Sequence, residues 1–186
     1  MARNARRIGL ALESLFDMLE ALTLLSRLEA GMQIVRLRTC ELADVLAPTI
    51  KETGKIAAQR GIQLRFRNMT GLVRSNPQLL ATATRGLLLN GIKFARGEVL
   101  ASCRRSDNEV SVEVRFKGPS LEAESRRSAF VELPPRKRGS TAGELGLGLG
   151  LLELLCRRLG HGLTHSSSTA GGRLLAMTLP LPAGSR

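Results

Sequence analysis

Residues 75–96 read "SNPQLLATATRGLLLNGIKFAR", and this stretch predicts a long helix with a well-marked start. Ser75 or Asn76 can cap the helix, because a short polar side chain accepts a hydrogen bond from a backbone N–H of the first turn. Pro77 suits the first helical position, where its missing N–H would have no helical partner anyway. The pattern predicts a helix from Pro77 through about Phe94.

Two polar residues interrupt the apolar second half of this helix. Asn90 and Lys93 lie one turn apart, so both side chains can reach the same groove. An asparagine in an otherwise apolar helix is more often a hydrogen-bonded core residue than a ligand. The pattern therefore leaves both interpretations open for Asn90.

A glycine-rich run, "GLGLGL" at 146–151, leads into a predicted helix over about residues 148–159. Gly146, Gly148 and Gly150 would let backbone N–H groups approach an anion closely, and a helix N-terminus is electropositive. Alternating glycine and leucine also suits a flexible hinge. The run favours a phosphate site without establishing one.

Strand and helix patterns alternate through the rest of the chain. Strand patterns occupy 33–38, 62–68, 72–75, 98–105, 109–116, 162–168 and 173–181, and a further helix pattern occupies 40–61. Residues 117–145 have no periodic pattern, a length typical of a functional lid or of disorder. The order predicts an α+β fold: a two-layer α/β sandwich with a mixed, mostly antiparallel sheet and helices on one face.

The N-terminal segment, residues 8–30, repeats apolar residues at helical spacing and ends at Gly31. Its central stripe consists of Leu12, Leu15, Leu19 and Leu22. A helix this apolar needs a partner in water, either its own domain or a second helix. Because the following segment looks self-sufficient, we predict a dimerisation-type helix over 1–31, with homodimer contacts through 8–30.

The formal charge of +12, from 28 Lys and Arg against 16 Asp and Glu, raises the question of an anionic partner. The basic residues are scattered and there is no Trp or Tyr for base stacking, so we expect no nucleic-acid partner. No apolar run approaches the length of a bilayer span, so we expect no membrane contact from this chain. Cys40, Cys103 and Cys156 are odd in number and widely spaced, which favours reduced thiols in a cytoplasm.

Taken in this order, the segments resemble the ATP-binding domain of bacterial sensor histidine kinases, in the GHKL superfamily. The family's N box, first glycine box, ATP lid and second glycine box line up with residues 86–94, 116–120, 121–145 and 146–150. "SRLEAG" at 26–31 resembles the end of the family's second dimerisation helix. The resemblance implies a sandwich of the Bergerat type over 32–183, preceded by a dimerisation remnant at 1–31 and followed by a tail at 184–186, in a bacterial cytoplasm.

The resemblance also assigns site residues. It places Asn90 on the Mg²⁺-binding asparagine, Lys93 on the phosphate-side lysine and Phe130 on the lid phenylalanine. The glycine boxes supply Gly118, Gly146, Gly148 and Gly150. ATP and Mg²⁺ are the implied cofactors, and a response regulator or another kinase is the implied partner.

Three positions depart from the family pattern. Phe116 replaces the aspartate that accepts a hydrogen bond from the adenine amino group, and phenylalanine has no acceptor and would fill the pocket floor. Gly86 stands at the first N-box asparagine, and Ser120 at the second glycine. Losing a buried charge-assisted hydrogen bond costs about 1.5–3 kcal/mol, which is roughly ten- to a hundredfold in affinity. We therefore expect ATP binding to be weak or lost.

The only histidines, His161 and His165, follow the second glycine box, whereas the family's phosphoacceptor lies on the first dimerisation helix. We expect them to be solvated or core-edge residues and not metal ligands. No residue is assigned a catalytic role. The sequence thus predicts a degenerate kinase domain that acts through dimerisation and protein contacts. The alternative is the ATP-binding fragment of an active sensor kinase whose phosphoacceptor histidine lies outside this chain.

Overall fold

The computed structural model describes residues 36–118, 146–168 and 171–182, together with Leu19, Thr23 and Ser26. The chain divides into two compact units, Met1–Val35 and Arg36–Arg186. A domain boundary between residues 31 and 32 stays a prediction.

In the first unit, the three described residues are helical. The Thr23 hydroxyl donates a hydrogen bond to the carbonyl oxygen of Leu19 over 2.7 Å, one turn earlier, and the Leu19 side chain is exposed. The rest of the predicted helix over 8–30 lies outside the described residues. Its role as a dimerisation helix therefore stays a prediction.

The second unit contains seven strands and three helices among its described residues. The strands are β1 (Arg38–Glu41), β2 (Gln63–Arg67), β3 (Leu72–Ser75), β4 (Glu98–Arg105), β5 (Glu109–Lys117), β6 (Gly162–Ser167) and β7 (Gly172–Pro180). The helices are α1 (Leu42–Gln59), α2 (Pro77–Phe94) and α3 (Gly146–Leu159). No helix in the described part of the chain is long and apolar enough to cross a bilayer.

The main sheet has five strands in the order β2-β4-β5-β7-β6, and β1 pairs with β3 in a separate antiparallel ribbon. Only the β2–β4 pair is parallel; the other pairs in the main sheet are antiparallel. One face of the sheet packs against the helices through fully buried apolar residues, among them Val99, Ala101, Val112, Val114 and Met177. The predicted α/β sandwich with a mixed, mostly antiparallel sheet is confirmed.

Helix α2 begins as the sequence predicts. The Asn76 side chain accepts a hydrogen bond from the Leu79 backbone N–H over 3.1 Å, so Asn76 is the capping residue. Farther along the helix, Gly91 lies close to the sheet, since a Cβ there would approach Cγ1 of Val114 to 2.8 Å and that of Val99 to 3.3 Å. The absence of a side chain at Gly91 therefore sets how closely the end of α2 lies over β4 and β5.

The first strand differs from its prediction. The strand predicted over 33–38 is wrong in its described part, because β1 starts at Arg38 and takes in the first residues predicted as helix. Pairing with β3 fixes this register, with Glu41 opposite Leu72. The Glu41 carboxylate also accepts a hydrogen bond from the Gly71 N–H over 2.6 Å, which holds Glu41 extended ahead of α1.

Candidate nucleotide site

The end of β5 and the last turns of α2 form the centre of the candidate site. Phe116 is 6% exposed, and its ring lies beneath α2, with Cδ1 3.7 Å from where a Cβ on Gly91 would stand. Its strand neighbour on β4 is Val99, which is fully buried. At the position that the resemblance gives to the adenine-binding aspartate, the structure therefore has an aromatic ring packed into the core.

Gly118 follows directly at the end of β5. A Cβ at this position would overlap the carbonyl oxygen of Phe94, the last residue of α2. The Gly118 N–H donates to the Gly171 carbonyl over 3.2 Å, and the Arg96 N–H donates to the Lys117 carbonyl over 2.7 Å. These contacts clamp the end of β5 between the exit of α2 and the turn before β7.

Asn90 is half-buried on α2 and uses its amide group locally. Its Nδ2 donates a hydrogen bond to the Gly86 carbonyl oxygen over 3.0 Å. The Oδ1 atom keeps its acceptor capacity, and an amide oxygen is a ligand type that Mg²⁺ accepts. Asn90 is thus the residue of α2 that could hold a metal ion, as the resemblance implies.

Lys93 lies at the exposed end of α2. Its Nζ atom is 5.6 Å from the centroid of the Phe94 ring, a cation–π distance. An exposed ammonium group near Asn90 can reach an anion without losing much packing. The structure therefore keeps a cation on the same helix as the candidate metal ligand.

The second glycine box lies within a helix. Gly146, Gly148 and Gly150 fall in the first turns of α3, which starts at Gly146 and not at about residue 148. Helices α2 and α3 meet at Gly86, where a Cβ would lie 3.8 Å from Cδ1 of Leu152, an ordinary contact distance. The predicted lid and the end of the first glycine box are not described. Phe130, Ser120 and the basic residues 136–138 lie outside the described residues.

Arg173 is a site residue that the sequence interpretation missed. It is the direct cross-strand partner of Phe116 on β7, on the same face of the sheet, and it is 7% exposed. A buried arginine is thus the direct neighbour of Phe116 across the strand pair. The signal in the sequence was a single charged residue, Arg173, starting the apolar run "RLLAMTLPL".

His161 is a buried residue just before β6, at the end of the sheet opposite Phe116 and Arg173. Its Nε2 atom is 2.8 Å from the Ser75 hydroxyl, and both residues are buried, so His161 joins the start of β6 to the end of β3. Burial lowers the pKa of His161 from 6.5 to about 4, and a hydrogen bond with the Gly160 backbone partly opposes this shift.

His165 is exposed on β6. No group of three His, Cys, Asp or Glu residues that could hold a metal occurs within the described ranges.

The three cysteines are unpaired thiols in this structure. Cys103 and Cys156 are buried, and burial raises the pKa of each thiol to about 12, with smaller contributions from Glu113 and Glu153 respectively. A thiol that stays protonated at neutral pH is a poor nucleophile. Both residues serve as core packing.

Sequence comparison shows that the chain is similar to bacterial sensor proteins. The chain is 31% identical over 184 residues to "Sensor protein KdpD" of Rathayibacter rathayi, covering 97% of this chain and 21% of that protein. It is 25% identical over 170 residues to "Sensor protein CutS" of Streptomyces coelicolor, covering 88% of this chain and 40% of that protein. The chain thus spans less than half the length of these curated relatives. No protein-family model matches it.

Solved structures agree in fold. Histidine kinase AdeS of Acinetobacter baumannii superposes with a TM-score of 0.68 at 14% identity, covering 91% of this chain and 80% of that one. The histidine kinase domain of the Escherichia coli osmosensor EnvZ superposes with a TM-score of 0.58 at 21% identity, covering 83% and 94%. At these identities the likeness concerns the fold.

The strand order and the mostly antiparallel sheet form an α/β sandwich that matches the fold of histidine kinase catalytic domains. Together with the relatives above, they identify the domain as an ATP-binding (HATPase) type domain of the bacterial sensor histidine kinases.

Proposed function

We propose that this chain is a degenerate sensor-kinase domain of a two-component system, with weak or absent ATP binding, that acts through dimerisation and protein contacts. The observation that carries the proposal is Phe116, which is 6% exposed and packed beneath α2. An adenine amino group reaching this floor would meet a ring carbon in place of an acceptor. The polar group would then be desolvated without a partner.

The phosphate side of the site is less altered than the adenine side. The Asn90 side chain has an amide oxygen that can accept a hydrogen bond or coordinate a metal ion, and Lys93 is exposed on the same helix. These two residues favour a second candidate function: the ATP-binding fragment of an active sensor kinase whose phosphoacceptor histidine lies outside this chain. Metal and phosphate contacts would then carry binding in the absence of the adenine contact.

Titration with ATP and Mg²⁺ by isothermal calorimetry separates the two candidates. We expect no binding heat at nucleotide concentrations below about 1 mM, because losing the adenine contact costs roughly ten- to a hundredfold in affinity before any steric overlap with Phe116. Inorganic triphosphate with Mg²⁺ serves as the matched ligand without a base. Clear saturation by ATP in the micromolar range would remove the degenerate-domain proposal and leave the active-fragment alternative.

The partner proposal starts from the N-terminal segment. We propose a homodimer through residues 8–30, with a response regulator or another kinase as the signalling partner, in a bacterial cytoplasm. The exposed Leu19 side chain supports this, because a leucine on a helix surface is a candidate for contact with a second helix. The pattern of Leu12, Leu15 and Leu22 extends the same stripe.

Analytical ultracentrifugation tests this dimer. We expect sedimentation as a dimer at tens of micromolar, and we expect Leu15→Glu combined with Leu19→Glu to shift the protein to monomer, since buried charges oppose helix association. A pair of exchanges at positions of the segment outside the leucine stripe, Glu13→Gln with Glu20→Gln, serves as control. A wild-type monomer under these conditions would refute the dimerisation role of residues 8–30.

A further inference from the structure

We propose that Arg173 is a second specificity determinant of the candidate site, coupled to Phe116, and that the two residues together exclude adenine. This inference rests on the proposed function, because it explains which groups prevent nucleotide binding. It also predicts that restoring an acidic residue at position 116 is not sufficient to restore that binding.

The geometry places the two side chains together. Phe116 on β5 and Arg173 on β7 are direct partners in the antiparallel pairing, so their side chains leave the same face of the sheet. Side chains directly opposite each other in such a pair have Cβ atoms about 4.5–5.5 Å apart. Phe116 is 6% and Arg173 is 7% exposed, so both belong to the interior beneath the helices.

The chemistry of the pair opposes an adenine ring edge in two ways. The exocyclic amino group of adenine is a hydrogen-bond donor and needs an acceptor. Phenylalanine offers none, and a guanidinium offers only donors and stays charged. Arg173 therefore adds only hydrogen-bond donors beside Phe116, whose side chain has no acceptor. The adenine amino group, itself a donor, would find no partner at either position.

Coupling between the two positions follows from the same distance. An aspartate at position 116 would face Arg173 directly across the strand pair. A carboxylate and a guanidinium at this separation form a charge-assisted and frequently bidentate pair, which is among the stronger hydrogen-bonded contacts. The new carboxylate would be held by Arg173 and would not be available to a ligand.

Binding by four proteins tests this inference: the wild type, Phe116→Asp, Arg173→Met and the double variant. Methionine keeps the length of the arginine stem and removes its charge. In calorimetric titrations with ATP and Mg²⁺, we expect neither single variant to bind more than about threefold tighter than the wild type. We expect the double variant to bind at least tenfold tighter than Phe116→Asp.

Urea denaturation of the same four proteins measures the interaction between positions 116 and 173 in the absence of nucleotide. We expect Phe116→Asp to raise the equilibrium constant for unfolding at least tenfold less when Arg173 is present than in the Arg173→Met background, because the guanidinium neutralises the new carboxylate. Arg67→Met, which removes an exposed arginine from the edge strand β2, is the control and should show no such coupling.

The outcomes separate this inference from the proposed function. Micromolar ATP binding by the wild type would refute the proposed function. The urea experiment tests the interaction between positions 116 and 173 independently of nucleotide binding. Equal stability costs of Phe116→Asp in the two backgrounds would overturn the inference. So would ATP binding by Phe116→Asp alone that matches the double variant, or a double variant that binds no better than Phe116→Asp.

Discussion

Gly118→Ala is expected to lower the free energy of unfolding by about 3 kcal/mol, the upper part of the range for an overpacked interior position. The added Cβ would overlap the carbonyl oxygen of Phe94. A backbone oxygen at the end of α2 cannot rotate away as a side chain can. Either α2 or the end of β5 must move, and the hydrogen bond from Gly118 to Gly171 would be strained with it.

Equilibrium urea denaturation measures this effect, and Gly54→Ala is the matched control. Gly54 lies inside α1, and a Cβ there would meet no atom within 4 Å. Alanine is a better helix former than glycine, so the control should be neutral or stabilised by up to about 1 kcal/mol. Equal midpoints for Gly118→Ala and the wild type would contradict the clamp between α2, β5 and the turn at Gly171.

Stability is expected to fall by about 3 kcal/mol on acidification through the range between pH 6.5 and 4, because of His161. Burial lowers the pKa of His161 from 6.5 to about 4, so the folded protein holds this imidazole neutral while the unfolded chain binds a proton below pH 6.5. The contribution is fully present above pH 6.5. It is lost at about 1.4 kcal/mol per pH unit until the folded state is protonated as well.

The difference between wild type and His161→Gln isolates this contribution from that of the carboxylates. Glutamine can place an amide near the Ser75 hydroxyl without titrating, so the variant should lose less stability than the wild type between pH 7 and pH 5 in urea denaturation. His165→Gln, at an exposed position on β6, should follow the wild-type pH dependence. Parallel pH profiles for wild type and His161→Gln would show that this imidazole does not stay neutral in the fold.

Local patterns predicted the elements that depend on neighbouring residues. The cap and proline at the start of α2 gave a helix of the observed bounds, Pro77–Phe94, because these signals act within one turn. The alternation in β4 and β5 also predicted their hairpin, since strands this close in sequence pair directly. The first strand was misplaced, because its register comes from the distant β3 and from the Glu41 contact to Gly71.

The candidate site shows the same division. Residue type alone predicts that Phe116 obstructs adenine, because phenylalanine has no hydrogen-bond acceptor, and the structure places the ring beneath α2. Arg173 could not be found in this way, because its meaning depends on which residue it faces. The Ser75–His161 contact likewise joins residues 86 positions apart, and no local pattern indicates it.

The sequence by itself determined the order of helices and strands, the alternation that buries one face of the sheet, and the absence of a hydrogen-bond acceptor in the side chain at position 116. These features follow from residue type and from spacing within one element. The tertiary structure alone decided that Gly91 lets α2 approach the sheet over Phe116, and that Arg173 stands beside that ring. Such neighbours are set by cross-strand register and helix packing, which bring together side chains whose separation along the chain carries no signal.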